Sequence, residues 1–326
     1  MAATRTEVDR IREGVRRAVS RNLGDCMLLS AGLDTSIIAF LAKEHREFTC
    51  YTVHFTLGES PDVAYARSLT KRLGLPWRLI DMEGGASLEE TLEDVVEGLG
   101  SFDPMEVRNS AAVHRGMKEL AKAGFKEVMT GDAADELFAG YSFIYNLPPQ
   151  KMMEALHHMW DVMQFSSIPL AESLGMKAKI PFLDRGVVDI AKRLGPKSLV
   201  GVRNGTKYGK YLLRVAFEDT IGAKAAWRVK TPIELGSGTT SLTEYFSEKV
   251  KDAEFARKKR EIRNDGVNIR DKEHMVYYEM YAGKFPPPGE SAHSFLRCPE
   301  CGADVKVGAE FCTRCGAFPI KGIRAK

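Results

Sequence analysis

No run in the 326-residue chain approaches the roughly 18 consecutive apolar residues that a membrane-spanning helix needs, so no span is expected. The opening segment MAATRTEVDRIREGVRRAVSR lacks the apolar centre of a signal peptide, and its two glutamates and one aspartate argue against an organelle transit peptide. Cysteine is scarce: six residues, four of them in two CxxC pairs near one end. That usage excludes a disulfide framework and suits a reducing compartment, so a cytoplasmic protein without a membrane partner is predicted. Charge is nearly balanced, 47 basic against 44 acidic side chains for a formal +3, too little to argue for a nucleic-acid partner alone. Two nucleotide signatures are also missing. No GxxxxGK[ST] loop is present, and no GxGxxG follows the first predicted strand.

What stands in their place is Leu28–Ser36, LLSAGLDTS, where an apolar strand meets a polar turn and a helix start. Small residues Ser30, Ala31 and Gly32 let backbone N–H groups approach an anion, and Asp34, Thr35 and Ser36 open the helix. Read locally, this is either a phosphate loop of another type or a structural turn. The surrounding pattern alternates strands (the end of Cys26–Leu29, Thr49–Phe55, Trp77–Ile80, Phe125–Met129) with helices, which predicts an α/β fold with a parallel sheet. A second glycine turn, Thr130–Tyr141 (TGDAADELFAGY), falls at the same carboxyl edge, where open α/β sheets bind ligands. Its carboxylates Asp132, Asp135 and Glu136 repel one another unless a cation or donors share the site; a cap and solvent exposure are the plainer explanations.

Residues 150 to 230 read as mainly helical. His157 and His158 are adjacent and lack the four-residue spacing of helical metal ligands. Ile180–Asp184 is an apolar turn whose aspartate suits a helix cap. Lys207, Lys210, Arg214, Arg228 and Lys230 form a basic concentration, either a solvated face or a phosphate clamp, with Lys210 and Arg214 on one helix. The GSGTT stretch at 236–240 reads as a flexible loop able to close over substrate. A proline-rich linker then leads to Cys298-Pro-Glu-Cys301 and Cys312-Thr-Arg-Cys315, ten residues apart, the spacing of a zinc ribbon with four sulfur ligands. With no coordination position left open, such a zinc ion is structural; an iron–sulfur centre is the alternative use of the thiolates.

These motifs carry a resemblance. Ser30–Ser36 resembles the SGGLDS/T loop of N-type ATP pyrophosphatases, and the motif order resembles the synthetase domain of asparagine synthetase and β-lactam synthetase. Ser60–Asp62 is similar to that family's SPD element, Gly131–Tyr141 to GEGSDELFGGY, Ile180–Asp184 to VPFLD, Lys210–Arg214 to KxxLR, and Ala226–Lys230 to AWRxK. Lys272, Glu273, Tyr277 and Tyr278 resemble its KE…YY stretch, so the likeness covers about residues 20 to 287. It implies an adenine nucleotide alpha-hydrolase-like, Rossmann-like core over 1–145, a mainly helical part over 146–285 completing the active site, a linker at 286–295 and a zinc ribbon at 296–320. It also implies ATP contacts from Leu29, Ser30, Ala31, Gly32, Leu33, Asp34, Thr35, Ser36, Phe55 and Gly131. Asp34 and Asp135 then hold Mg²⁺, Lys210 and Lys230 offset charge, and Asp132, where the family has glutamate, takes a proton from the amine. Ala31 replaces the loop's middle glycine, which leaves less room near a phosphate.

The expected activity is an ATP-dependent ligase that adenylates a carboxylate, releases pyrophosphate, and forms an amide from ammonia or another amine. The glutaminase domain that opens asparagine synthetase is not expected here, because the ATP loop arrives within 30 residues of the start. That leaves free ammonia, a separate glutaminase or carrier subunit, or another amine as nitrogen source, with a homodimer compatible. A rival reading is tRNA base modification by adenylation followed by sulfur or nitrogen insertion, helped by the ribbon. A third is a noncatalytic nucleotide-sensing or partner-binding protein.

Overall fold

The computed structural model describes residues 4–229, 231–293, 296–320 and 323–324, without the side chains of Ala86, Ile323 and Arg324. Two compact units result. Unit 1 comprises Met1–Val53, Pro61–Ile80 and Gly116–Pro232; unit 2 comprises His54–Ser60, Asp81–Arg115 and Ile233–Lys326.

The sheet has the order β3-β2-β1-β4-β5, with β1 Cys26–Leu28, β2 Thr49–Phe55, β3 Trp77–Met82, β4 Glu127–Met129 and β5 Lys177–Lys179. β1 lies at its centre, running parallel to β2 (Met27 beside Cys50) and to β4 (Met27 beside Met129). Central parallel strands are covered on both faces, which is why Cys26, Met27, Val128 and Met129 are wholly buried. The strands and helices of the first half agree with the α/β expectation. β5 and the antiparallel hairpin Gly201–Arg203 with Thr206–Tyr208 interrupt the stretch read as helical.

α1 (Arg5–Arg21) begins at a reciprocal cap: Glu7 N–H donates to Thr4 Oγ1, and Thr4 N–H donates to the Glu7 carboxylate. It buries Ile11, Val15, Ala18 and Val19, in one apolar cluster with Ile37 and Ile38 of α2 (Leu33–Lys43). Asp184 is a helix cap as expected, accepting from Gly186 N–H, and it also takes both nitrogens of the Arg21 fork at 2.7 and 3.0 Å.

Unit 2 has an aromatic core. Phe102 contacts Tyr278 and Tyr281 with ring centres 5.1 Å apart, and Phe246 contacts Tyr277 at 5.7 Å. The cysteine-rich tail is tied to this core through main-chain bonds. Phe102 N–H donates to Arg314 O (2.9 Å), Ser101 Oγ to Thr313 O (2.8 Å), Asn268 N–H to Glu300 O (2.7 Å) and the Arg270 guanidinium to Cys315 O (2.9 Å). The GSGTT stretch is structured, in correction of the flexible-loop expectation. It contributes to the helix Ile233–Ser237 and the 3₁₀ turn Thr239–Ser241, and Ser237 O accepts a 2.5 Å bond from Ser60 Oγ. Among the described residues no helix is long and apolar enough to cross a membrane.

Candidate active site

The first loop leaves β1 under tight control. Leu29 N–H donates to Tyr51 O at 2.7 Å, and Leu29 O accepts from the Thr52 hydroxyl at 2.7 Å. The chain then reverses at Ala31, whose φ of 52° is left-handed, and Gly32 caps α2 with φ −68°. The backbone angles of Gly32 suit any residue, while the residue forced into the glycine-favouring conformation is an alanine. Gly32 makes no side-chain cap bond, and the start of α2 presents the positive end of the helix dipole, the end that favours an anion. Ser30 Oγ lies 3.2 Å from Thr35 Oγ1, and the buried Ser36 Oγ has no hydrogen-bond partner among the described residues. Leu33 and Thr35 are also buried.

The second loop follows β4. Gly131 is needed for close approach, since a Cβ there would stand 2.7 Å from Thr35 Cγ2. Asp132 Oδ2 accepts from Thr130 Oγ1 (2.8 Å) and Ser167 Oγ (2.5 Å); withdrawal from water lifts its carboxyl above the usual range against those two bonds. Glu136 is no solvated side chain. It accepts from Tyr141 Oη at 2.5 Å, and burial raises its pKa as well. Ala133 (φ 73°) and Ala139 (φ 53°) are left-handed too.

Lys210 unites the two loops. Its Nζ lies 2.5 Å from Asp34 Oδ2 and 2.8 Å from Asp135 Oδ1, and the residue is 3% exposed. Burial alone would lower the pKa of the ammonium, but Asp135 and Asp34 outweigh it and the pKa is raised. The turn that delivers Lys210 is itself constrained: Lys210 has φ 54° and its N–H donates to Phe138 O at 2.8 Å. At Gly140 a Cβ would overlap both the Asp135 carboxylate and the Lys210 side chain. Lys210 caps the helix Tyr211–Ile221 instead of lying within it.

The other basic residues divide. Arg214 is buried and donates to Gly209 O, Ala226 O and Arg228 O at 2.7–3.0 Å, so it binds backbone and is no phosphate clamp. Arg228 donates to Asp62 Oδ1 (2.7 Å) and to the carbonyls of Ala31 (3.1 Å) and Ser30 (3.4 Å). Lys207 is exposed, and Lys230 lies outside the described residues. Phe55 ends β2 fully buried. Sequence reasoning missed Ser167 and the Arg228 contact with the loop. Neither has a local signal, because each partner is more than 30 residues distant.

The four tail thiols converge: Cys298 Sγ–Cys315 Sγ and Cys301 Sγ–Cys312 Sγ are each 3.8 Å, and all four sulfurs lie within 4.8 Å of one another. Tetrahedral Zn–S bonds of about 2.3 Å put sulfurs about 3.8 Å apart, so the buried set fits zinc. Cys26 and Cys50 differ. Burial pushes both thiols up to about 12, which leaves neither as a thiolate for sulfur transfer.

Comparison with known proteins agrees with this layout. A zinc-ribbon domain family matches residues 297–318, and the asparagine synthase family matches residues 9–173 and 169–273. The chain is 28% identical over 311 residues to asparagine synthetase B [glutamine-hydrolyzing] of Escherichia coli, covering 87% of this chain and 55% of that protein. It is 27% identical to the probable asparagine synthetase [glutamine-hydrolyzing] of Dictyostelium discoideum, covering 85% and 55%. The chain thus spans about half the length of these relatives. Because the family match runs through both loops and on past Lys210 to Glu273, far more than half of the sequence, the chain belongs to the asparagine synthase family.

Proposed function

We propose that the protein is an ATP-dependent, AMP-forming carbon–nitrogen ligase that joins a small carboxylate to ammonia or an amine. The observation that carries this reading is Lys210 held between Asp34 and Asp135, one carboxylate from each loop. In this reading the substrate carboxylate oxygen attacks the α-phosphorus of ATP, and the bond to the β-phosphate oxygen breaks as pyrophosphate leaves. The N–H groups at the start of α2, with the Ser30 and Ser36 hydroxyls, hold the departing phosphates, and the Lys210 ammonium offsets their charge. The amine nitrogen then attacks the acyl carbon, the acyl–oxygen bond breaks, AMP leaves, and Asp132 accepts the proton lost from nitrogen.

Asp34 and Asp135 offer only carboxylate oxygens, a donor set that fits Mg²⁺. Bound there, the ion would neutralise charge on the triphosphate. The test is product mass spectrometry after incubation with α-labelled ATP, Mg²⁺, ammonia and a panel of aspartate, other carboxylates and bulk tRNA. AMP, pyrophosphate and an amide formed with a small carboxylate are expected. The same nucleotide products with tRNA alone, or none with any acceptor, would sink the proposal.

A further inference from the structure

Three alanines hold left-handed backbone at the site, and one of them, Ala31, is gripped from outside its own loop. Left-handed geometry costs an L-residue the equivalent of about 5- to 30-fold in an equilibrium, so an unrestrained Ala31 would relax. What opposes relaxation is Arg228. Its guanidinium donates to the carbonyls of Ser30 and Ala31, is anchored on Asp62 Oδ1 at 2.7 Å, and lies 3.7 Å from the ring centre of Tyr65. The Asp62 and Arg228 side chains are about nine-tenths buried, which gives their bond little competition from water. Arg228 is held in turn, since its own carbonyl accepts from Arg214, and Arg214 also donates to Gly209 O beside Lys210.

We infer that Arg228 is a positioning residue that latches Ala31 in its left-handed conformation, setting the first loop for phosphate before the nucleotide arrives. The phosphate ligand rests on the ligase reading; the latch itself does not. A chain with glycine at 31 would have little strain to restrain, so the latch matters most because this chain carries alanine there.

The experiment is a double-mutant cycle of Arg228→Gln and Ala31→Gly, read by thermal unfolding without nucleotide and by equilibrium binding of Mg·ATP. All three tryptophans, Trp77, Trp160 and Trp227, lie in unit 1, so their fluorescence follows the unit that holds the loop. With Arg228 present, Ala31→Gly relieves strain and raises the melting temperature by about 2–4 °C; with Gln at 228 that gain disappears. Arg228→Gln weakens Mg·ATP binding about 5- to 30-fold, because the nucleotide must now impose the strained turn, and adding Ala31→Gly recovers most of the loss. Arg228→Lys, which keeps the charge and loses the planar fork, behaves like the glutamine variant. Additive melting shifts together with no rescue of binding would overturn the latch. Coupled melting shifts in a protein whose wild type ignores Mg·ATP would retain the latch and remove the nucleotide reading.

Discussion

Replacing Lys210 by methionine tests the centre of the site. The side chain is 3% exposed and its ammonium meets Asp34 at 2.5 Å and Asp135 at 2.8 Å. Methionine fills similar space but withdraws the ammonium from both carboxylates. Removing one partner of a buried charge pair costs roughly 3–5 kcal/mol. In a unit of this size that lowers the melting temperature by about 10 °C. The pH dependence has a sign. In the wild type the lysine pKa is raised above its unfolded value, so its contribution is complete below pH 10.5 and fades only as pH rises through the folded value. In the variant, protonation of either carboxylate relieves the repulsion between them, so part of the lost stability returns as pH falls. Tryptophan fluorescence melts at pH 5, 7 and 9 measure this, and exchange of labelled pyrophosphate into ATP should fall by about 10²–10³-fold. A variant that melts within about 2 °C of wild type at all three values would refute the electrostatic account.

Burial raises Asp132, so the acid limb of the pH profile of kcat/KM should lie above the ordinary carboxylate range, and Asp132→Asn should abolish the amide-forming step while pyrophosphate exchange continues; an unshifted limb would remove Asp132 as proton acceptor. Removing zinc with a strong chelator should release one ion per chain and speed hydrogen exchange at Phe102 and Asn268, whose N–H groups donate to Arg314 and Glu300 between the zinc ligands; unchanged exchange there would show that the metal does not hold this corner.

The sequence made the core legible where apolar runs alternate with helical periodicity, as in Cys26–Leu28 and α2, since burial on both faces leaves little freedom in composition. It failed at β5, Lys-Ala-Lys, because a three-residue edge strand carries no period. Asn204-Gly205, with φ values of 50° and 77°, did carry the mark of a two-residue hairpin turn inside a stretch read as helical. At GSGTT, glycine content suggested mobility, yet a Cβ on Gly238 would stand 2.9 Å from Ser60 Oγ and 3.1 Å from Glu59 O. Gly238 serves close backbone approach. The site followed the same division: both loops could be found locally, whereas their union by Lys210, 176 residues from Asp34, came only through family likeness and is visible only in the fold.

The alanines show most clearly what a sequence withholds. Where the family motifs read SGGLDS and GEGSDELFGGY, this chain has Ala31, Ala133 and Ala139, and by composition each exchange is a single added methyl group. The backbone makes it more than that, because all three residues have φ between 52° and 73°. Each bears roughly 1–2 kcal/mol that glycine would avoid. Such strain persists only where surrounding contacts over-determine the conformation. Two of those contacts are apparent: Arg228 on the carbonyl of Ala31, and the turn at Gly209, which leaves no room for a Cβ beside Ala139 O. The loops on either side of Lys210 are therefore held in place by residues outside them, and variants of those outer residues should alter the site while leaving the sequences of both loops intact.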